Sequence, residues 1–227
     1  MKIILCVLGA MLIVVAILVV WQWDNITALR YTLTMSSQTM EENIVKNNEQ
    51  VKTVMDEYQI KEKVFSKSEL DAMANDDAAV DKAAEEIAKN QKPPAAPPKK
   101  PANTAKPKSD TVDYTDEIRV QLAKMSVLRA SYSSQLEGIV ASAKAEYMSL
   151  PPEKHTDANK QAVVMNHVGA LSSLESSCDR KAGAVISELR RLLKASGKSS
   201  SVADSVESAY ANEKNLKKAY YISKFGG

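Results

Sequence analysis

The sequence predicts an all-α protein that begins with a single membrane-spanning helix. Three observations support this: an uninterrupted apolar run near the N-terminus, a Pro/Lys-rich segment in the middle, and apolar residues at helical spacing over the last half of the chain. We divide the 227 residues into a transmembrane signal anchor (1–23), a juxtamembrane helical stalk (24–91), a Pro/Lys/Ala-rich linker (92–110) and a three-helix distal bundle (111–227).

The N-terminal apolar run covers residues 3–20, which are 18 uncharged positions. At about 1.5 Å per residue, a helix of this length nearly matches a hydrocarbon core of about 30 Å. Trp21 and Trp23 follow, where aromatic side chains face a membrane interface. The run exceeds the apolar region of a cleaved signal peptide, and no small-x-small cleavage pattern precedes Asp24. We therefore predict an uncleaved anchor with its N-terminus inside and the C-terminal domain outside the cell.

The predicted stalk has apolar residues on a heptad pattern, interrupted at seam positions by Arg30, Ser37, Asn47 and Lys61. Such a pattern indicates a stalk or a weak coiled coil. In its last third, Ser68 resembles an N-cap that starts a short Ala-rich acidic helix. The acidic residues there do not match the calcium-loop template, so we expect a solvated helix face.

The linker is rich in proline, which lacks an amide donor and excludes a helix. An extended spacer is the simplest interpretation, at about 3.1 Å per residue. The alternative is contact with an anionic polymer, such as a cell-wall polymer, or with lipid headgroups. The lysines available for that contact are Lys92, Lys99, Lys100, Lys106 and Lys108.

The distal segment predicts an antiparallel hairpin of two long helices, with a turn at Pro151 and Pro152 and a cap at Thr156 or Asp157. Each stripe is wider than one partner covers, so a third helix, which begins after Gly197, is expected to pack there. The predicted seam residues are Ile118, Leu122, Met125, Tyr132, Leu136, Ile139, Ala143 and Leu150 in the first helix, and Val164, Val168, Leu171, Cys178, Ala182, Val185, Leu189 and Leu192 in the second.

Three seam positions suggest specific contacts. Arg129 and Glu175 are charged, and a hairpin that folds about residue 152 brings them to one level, so we predict a structural ion pair between them. The alternative is that both charged ends turn outward to solvent. Cys178 is expected to be buried and unpaired, and its alternative role is an intermolecular disulfide between two copies.

No pattern for catalysis or cofactor binding is present. The sequence Gly197-Lys198-Ser199 resembles the end of a phosphate-binding loop but has Leu192 where the first glycine is required. His155 and His167 have no ligand at metal-binding spacing. The net charge of +2 also argues against a nucleic-acid binder. We expect no cofactor, no metal, no nucleic-acid partner and no enzymatic activity.

Residues 31–36, 174–179 and 210–221 read YTLTMS, LESSCD and YANEKNLKKAYY. In these segments the chain resembles a group of single-pass membrane proteins of clostridia-type Gram-positive bacteria. The resemblance implies a bacterial envelope setting and carries no activity, ligand or active site.

The resulting expectation is a membrane-anchored, extracytoplasmic, non-catalytic helical scaffold or adaptor that holds envelope partners. Its partners would be the lipid bilayer, a protein or a second copy through its helices, and an anionic wall polymer. The alternative is a sensor or regulatory subunit that binds a ligand through the distal bundle and signals via another membrane protein.

Overall fold

The computed structural model describes residues 23–90 and 113–226, and these residues form seven α-helices and no strand. The all-α prediction is confirmed. The predicted membrane span at 3–20 and the linker at 92–110 lie outside the described residues. The helices are α1 (Trp23–Thr34), α2 (Ser37–Glu57), α3 (Lys67–Asn75), α4 (Asp77–Lys89), α5 (Thr115–Met148), α6 (Asp157–Ala195) and α7 (Ser201–Gly226), with a 3-10 turn at Pro152–Lys154.

The chain forms two compact units whose limits differ from the predicted segments. Among the described residues, the larger unit is 48–90 with 113–210, and the smaller unit combines 23–47 with 211–226. The predicted stalk (24–91) is thus divided between the units, because α3 and α4 carry an apolar stripe that packs on α5. Amphipathic helices of this kind bury their stripe whenever a complementary face is available.

The core of the larger unit lies around the first half of α5, which packs against α6, α4 and α3. α2 adds Met55, and α7 adds Ala203 and Val206. Each fully buried aliphatic side chain contributes about 1.5–3 kcal/mol. The largest buried side chains of this core are Ile60, Ile118, Leu122, Val127, Leu189, Leu192 and Leu193.

α4 is held on the hairpin by charge as well as by apolar contact. Asp77 and Asp81 lie one turn apart, and their carboxylates contact Lys181 of α6 at 2.6 Å and Lys124 of α5 at 2.8 Å. The expectation of a merely solvated acidic helix is therefore wrong in part. The acids are exposed, but they form ion pairs with the hairpin while Val80 and its apolar neighbours are buried.

Two helix boundaries before residue 90 differ from the prediction. The N-cap of α3 is Ser66 rather than Ser68, since Ser66 and Glu69 form a reciprocal capping box. The helix then ends before Asp76, whose side chain accepts a hydrogen bond from the amide of Ala78 and starts α4. Upstream, the helix predicted from the heptad pattern is interrupted between α1 and α2. There the hydroxyl of Ser36 accepts a hydrogen bond from the amide of Thr39 at the start of α2.

The long hairpin has the expected ends. α5 ends at Met148, before the two prolines, and Thr156 caps α6. Gly197, at φ +68°, follows the last turn of α6, and the next amide, that of Lys198, donates to the carbonyl of Leu193. From Cys178 onward, the predicted seam residues of α6 are buried except Val185, which is half-buried.

Between residues 163 and 174 the buried side of α6 is rotated by one position. Val163 and Leu174 are buried there, whereas Val168, a predicted seam residue, is exposed. The predicted seam is therefore wrong at Val168, while Val164 and Leu171 are half-buried. Two apolar stripes run side by side here, and the pattern does not show which one faces α5.

The smaller unit has a core of its own, formed by Ala28 of α1, Met40 of α2 and Ala219 of α7. The half-buried Tyr31, Met35 and Tyr220 pack against it. The hydroxyls of Ser37 and Ser223 lie 2.9 Å apart in the same unit.

Substitution of glycine by alanine is expected to have opposite effects at two positions, one within α6 and one just after its end. Gly197→Ala places a side chain at a positive φ and lowers the free energy of unfolding by about 1–2 kcal/mol. Gly183→Ala lies in open space within the helix and raises it by up to about 1 kcal/mol. Urea unfolding followed by circular dichroism measures both, and shifts of the same sign would contradict these conformations.

Candidate functional site

A polar contact across the hairpin fixes how α5 and α6 align. The carboxylate of Glu146 accepts a hydrogen bond from Nδ2 of Asn166 at 2.8 Å and one from Nε2 of His167 at 2.8 Å. An ionised carboxylate only accepts, so the His167 proton lies on Nε2. The Asn166 hydrogen bond, followed by that of His167, lowers the pKa of Glu146 below its ordinary value.

This alignment differs from the one that the sequence predicted. With Glu146 level with His167, Arg129 falls level with residues near Ala184 rather than with Glu175. Nine residues of helix separate those levels on α6, which is about 13 Å. The register set by Glu146 thus differs from the one on which the Arg129–Glu175 pair was predicted, and the pair itself stays a prediction. The axis of the fold lies nearer residue 156 than residue 152.

Arg129 connects α5 both to α2 and to the chain between α2 and α3. Its Nη1 donates to Oε1 of Glu62 at 3.1 Å, and its Nη2 donates to Oδ1 of Asn48. The Arg129 side chain is mostly buried, while Glu62 is more exposed. These contacts attach the segment after α2 to the hairpin.

Beyond the main core, the hairpin continues as two helices that we call the arm, residues 135–148 of α5 and 157–177 of α6. No residue of the arm belongs to the main core. Within the arm, Leu136, Ala143, Val163 and Leu174 are buried. Within the larger unit, the two helices of the arm therefore pack on each other outside the main core.

An open groove of about 720 Å³ runs along the arm between its two helices. Small side chains line most of it, and His167 lies at one end. A surface of small residues lets another backbone approach closely, but it selects no chemistry by itself. The lining residues are Gln135, Gly138, Ile139, Ser142, His167, Ala170, Ser173, Leu174 and Ser177.

Three exposed apolar side chains lie on the arm: Met148, Met165 and Val168, which are 61 %, 68 % and 43 % exposed. We call these the arm patch. No Asp, Glu, Lys or Arg occurs on α6 between Lys160 and Glu175. Exposed apolar residues, two of them on a helix stretch without charged side chains, are typical of contact sites.

Cys178 is buried in the structure of this single chain. On the neighbouring α7, the hydroxyl of Tyr210 donates to Oδ1 of Asp179 at 2.7 Å. Burial, followed by the charge of Asp179, raises the pKa of Tyr210 strongly, so the phenol stays a donor. An intermolecular disulfide through Cys178 would require this region to open, and it stays a prediction.

The lysines predicted to contact an anionic polymer lie outside the described residues. They are Lys92, Lys99, Lys100, Lys106 and Lys108. Within residues 23–90 and 113–226, no group of three or more His, Cys, Asp or Glu side chains is placed to hold a metal ion. In the same residues, no helix combines the length and apolar character needed to cross a bilayer.

Comparison of the chain with protein-family models, with curated proteins and with solved structures finds no match.

The contact between Glu146 and His167 was not predicted from the sequence. The available signal was that Glu146 interrupts the seam of the first helix, while His167 lies next to a predicted seam position of the second. A charged residue in a seam opposite a histidine indicates a polar contact, but its use requires the correct register.

Glu146→Gln is expected to remove part of the acid sensitivity of the fold. Because the pKa of Glu146 is lowered in the folded state, its contribution is complete above its ordinary value of 4.5 and is lost as the pH falls through the folded value. The wild type is therefore more stable than Glu146→Gln at pH 7, and the difference shrinks in acid. Chemical unfolding between pH 7 and pH 3 measures it.

Glu153→Gln is the control, since it removes the same charge from the exposed turn between the helices. Its stability should stay parallel to that of the wild type. If the two variants show equal pH profiles, the Glu146 contact does not stabilise the hairpin.

Proposed function

We propose that this protein is a membrane-anchored, non-catalytic helical adaptor whose distal part holds envelope partners outside the cell. The observation that carries the proposal is the 18-residue uncharged run at 3–20, which is long enough to span a bilayer as a helix.

The arm patch supports contact with a protein partner or a second copy of the chain. Two of its three members are methionines, whose flexible side chains adapt to different surfaces. The charge-free stretch of α6 imposes no electrostatic selection, so shape and apolar contact would decide the fit. The linker lysines provide a separate means of binding an anionic wall polymer.

The alternative proposal is a sensor or regulatory subunit that binds a ligand through its helices and acts on another membrane protein. A pocket in the larger unit, between α4, α5 and α6, supports this alternative because it offers a concave surface for a ligand. It differs from the adaptor in requiring a small-molecule ligand.

Topology is tested with trypsin added to intact cells that produce the full chain with a C-terminal epitope tag. The adaptor proposal expects loss of the tagged C-terminal part without permeabilisation and recovery of an N-terminal fragment that still contains residues 3–20. A tagged chain that is protected in intact cells and cleaved only after permeabilisation would refute the orientation. Mature protein that starts after residue 23 would refute the anchor.

Partner contact is tested by a photo-crosslinking amino acid placed in the full chain in intact cells. At position 165, in the arm patch, we expect discrete adducts, because exposed apolar residues at a contact lie within bond-forming distance of the partner. The matched control is position 64, where Val64 is 95 % exposed in the same unit but lies outside the arm. An adduct of twice the chain mass identifies self-association.

A second substitution makes the result specific. Met148→Glu places a charge in the arm patch and should reduce the adducts formed at position 165. Equal adducts at positions 64 and 165, or adducts unaffected by Met148→Glu, would contradict a contact through the arm patch.

A further inference from the structure

The arm patch places two thioether sulfurs on side chains that solvent reaches. Met148 of α5 and Met165 of α6 are 61 % and 68 % exposed. Because Glu146 lies level with His167 and the two helices are antiparallel, Met148 falls level with Met165. Each helix of the arm therefore contributes one exposed methionine at the same height of the hairpin.

The other methionines of the described residues are shielded. Met35 is half-buried, and its Sδ accepts a hydrogen bond from Nδ2 of Asn43 at 3.7 Å. Four more are at most 7 % exposed, namely Met40, Met55, Met73 and Met125. Exposure thus separates Met148 and Met165 from every other methionine in residues 23–90 and 113–226.

Peroxides oxidise a thioether in a two-electron step. A lone pair of the methionine sulfur attacks one oxygen of hydrogen peroxide, and the O–O bond breaks. The proton of the transferred oxygen passes to the departing hydroxide, so the products are a sulfoxide and water. The sulfur is oxidised and the peroxide is reduced. Because the oxidant must reach the sulfur, the rate follows the exposure of the side chain.

Sulfoxide formation at these two positions changes the arm patch more than it changes the fold. Both side chains already face solvent, so the added oxygens need no buried space. A sulfoxide is polar and accepts hydrogen bonds from water, and it therefore resists transfer into an apolar contact. A partner that fits the patch by apolar contact would meet two new polar oxygens.

We propose that Met148 and Met165 form a reversible oxidation site that switches the arm patch from an apolar to a polar surface. A peroxide is the oxidant. A methionine sulfoxide reductase reverses the step, since two electrons from a dithiol and two protons remove the oxygen as water. The switch rests on the proposed function, because its effect is release of the partner held at the arm patch. By linkage, a bound partner in turn shields both sulfurs from peroxide.

The oxidation site is tested on the purified full chain in detergent micelles with dilute hydrogen peroxide. Peptide mass spectrometry follows the gain of one oxygen atom at each methionine with time. We expect Met148 and Met165 to react at least about tenfold faster than the four buried methionines, because solvent reaches their sulfurs. Equal rates in the folded chain would overturn the oxidation site.

The same reaction in concentrated urea is the control. Unfolding exposes every methionine, so the rates should become similar, which would assign the difference in the folded chain to burial. A sulfoxide reductase with a dithiol should then remove the oxygen from Met148 and Met165 of the folded chain. Sulfoxides that persist at these exposed positions would contradict reversibility.

The switch is tested in intact cells with the photo-crosslinking amino acid at position 168, which leaves both methionines of the arm patch in place. Brief peroxide treatment should reduce the adducts about tenfold, the loss expected when an apolar contact becomes polar. The matched control carries Met148→Leu and Met165→Leu together. Leucine keeps a similar apolar volume and has no sulfur, so the adducts of this variant should not respond to peroxide.

Met165→Gln gives a test without oxidant. Glutamine is a polar side chain of similar length, so this variant should reduce the adducts at position 168 in untreated cells. Unchanged adducts in this variant would contradict the sensitivity of the arm patch to polarity.

Two results would overturn the switch. One is an equal loss of adducts in the wild type and the double leucine variant, since peroxide would then act elsewhere. The other is persistence of the adducts when mass spectrometry shows sulfoxides at both positions. Absence of adducts at position 168 in untreated cells would refute the partner contact and with it the switch. The oxidation rates of the purified chain need no partner, so the two failures are distinguishable.

Discussion

The burial of the first half of α5 is the interaction on which the larger unit depends. Ile118 and Leu122 are fully buried in a core to which several helices contribute. α3 and α4 are short, 9 and 13 residues, and isolated helices of that length are marginal in water. Their stability therefore comes from the surface that α5 offers them. Replacement of a buried leucine in this core by alanine would act on all of them together.

Polar contacts in this unit decide alignment more than they decide stability. Asp77 and Asp81 orient α4 over the hairpin, Arg129 attaches the segment after α2, and Glu146 sets the register of α5 against α6. Each contact is at least partly exposed, and such pairs contribute little free energy singly. Their geometric effect is larger, since an apolar stripe alone permits several axial offsets between two helices.

The parts of the fold that the sequence predicted are those fixed by local chemistry. Proline at 151–152, the threonine cap at 156 and the glycine at 197 act within one turn of helix, so their effects follow from residue type. The rotation of α6 near Val168 and the docking of α4 depend on which distant surface is available. No local pattern encodes that choice, and the contact of Glu146 with His167 was missed for the same reason.

The candidate sites were predicted less well than the helices. The arm patch contains Val168, which the periodicity assigned to the seam, and the burial of Arg119 has no signal in the sequence. A buried arginine and an exposed one look identical in a sequence, because burial is decided by neighbours far along the chain. The resemblance to envelope proteins offered no site residues to compare.

The connection between α5 and α6 shows what an aligned hairpin permits. Apart from the half-buried Leu150, its residues from Ser149 to Thr156 are exposed, and Asn159 braces it by donating to the carbonyl of Lys154. Side chains on α5 and α6 set the register of the hairpin. The length of this connector therefore does not determine how the two helices align. It is accordingly a permissive place to open, lengthen or tag the polypeptide while both long helices keep their pairing.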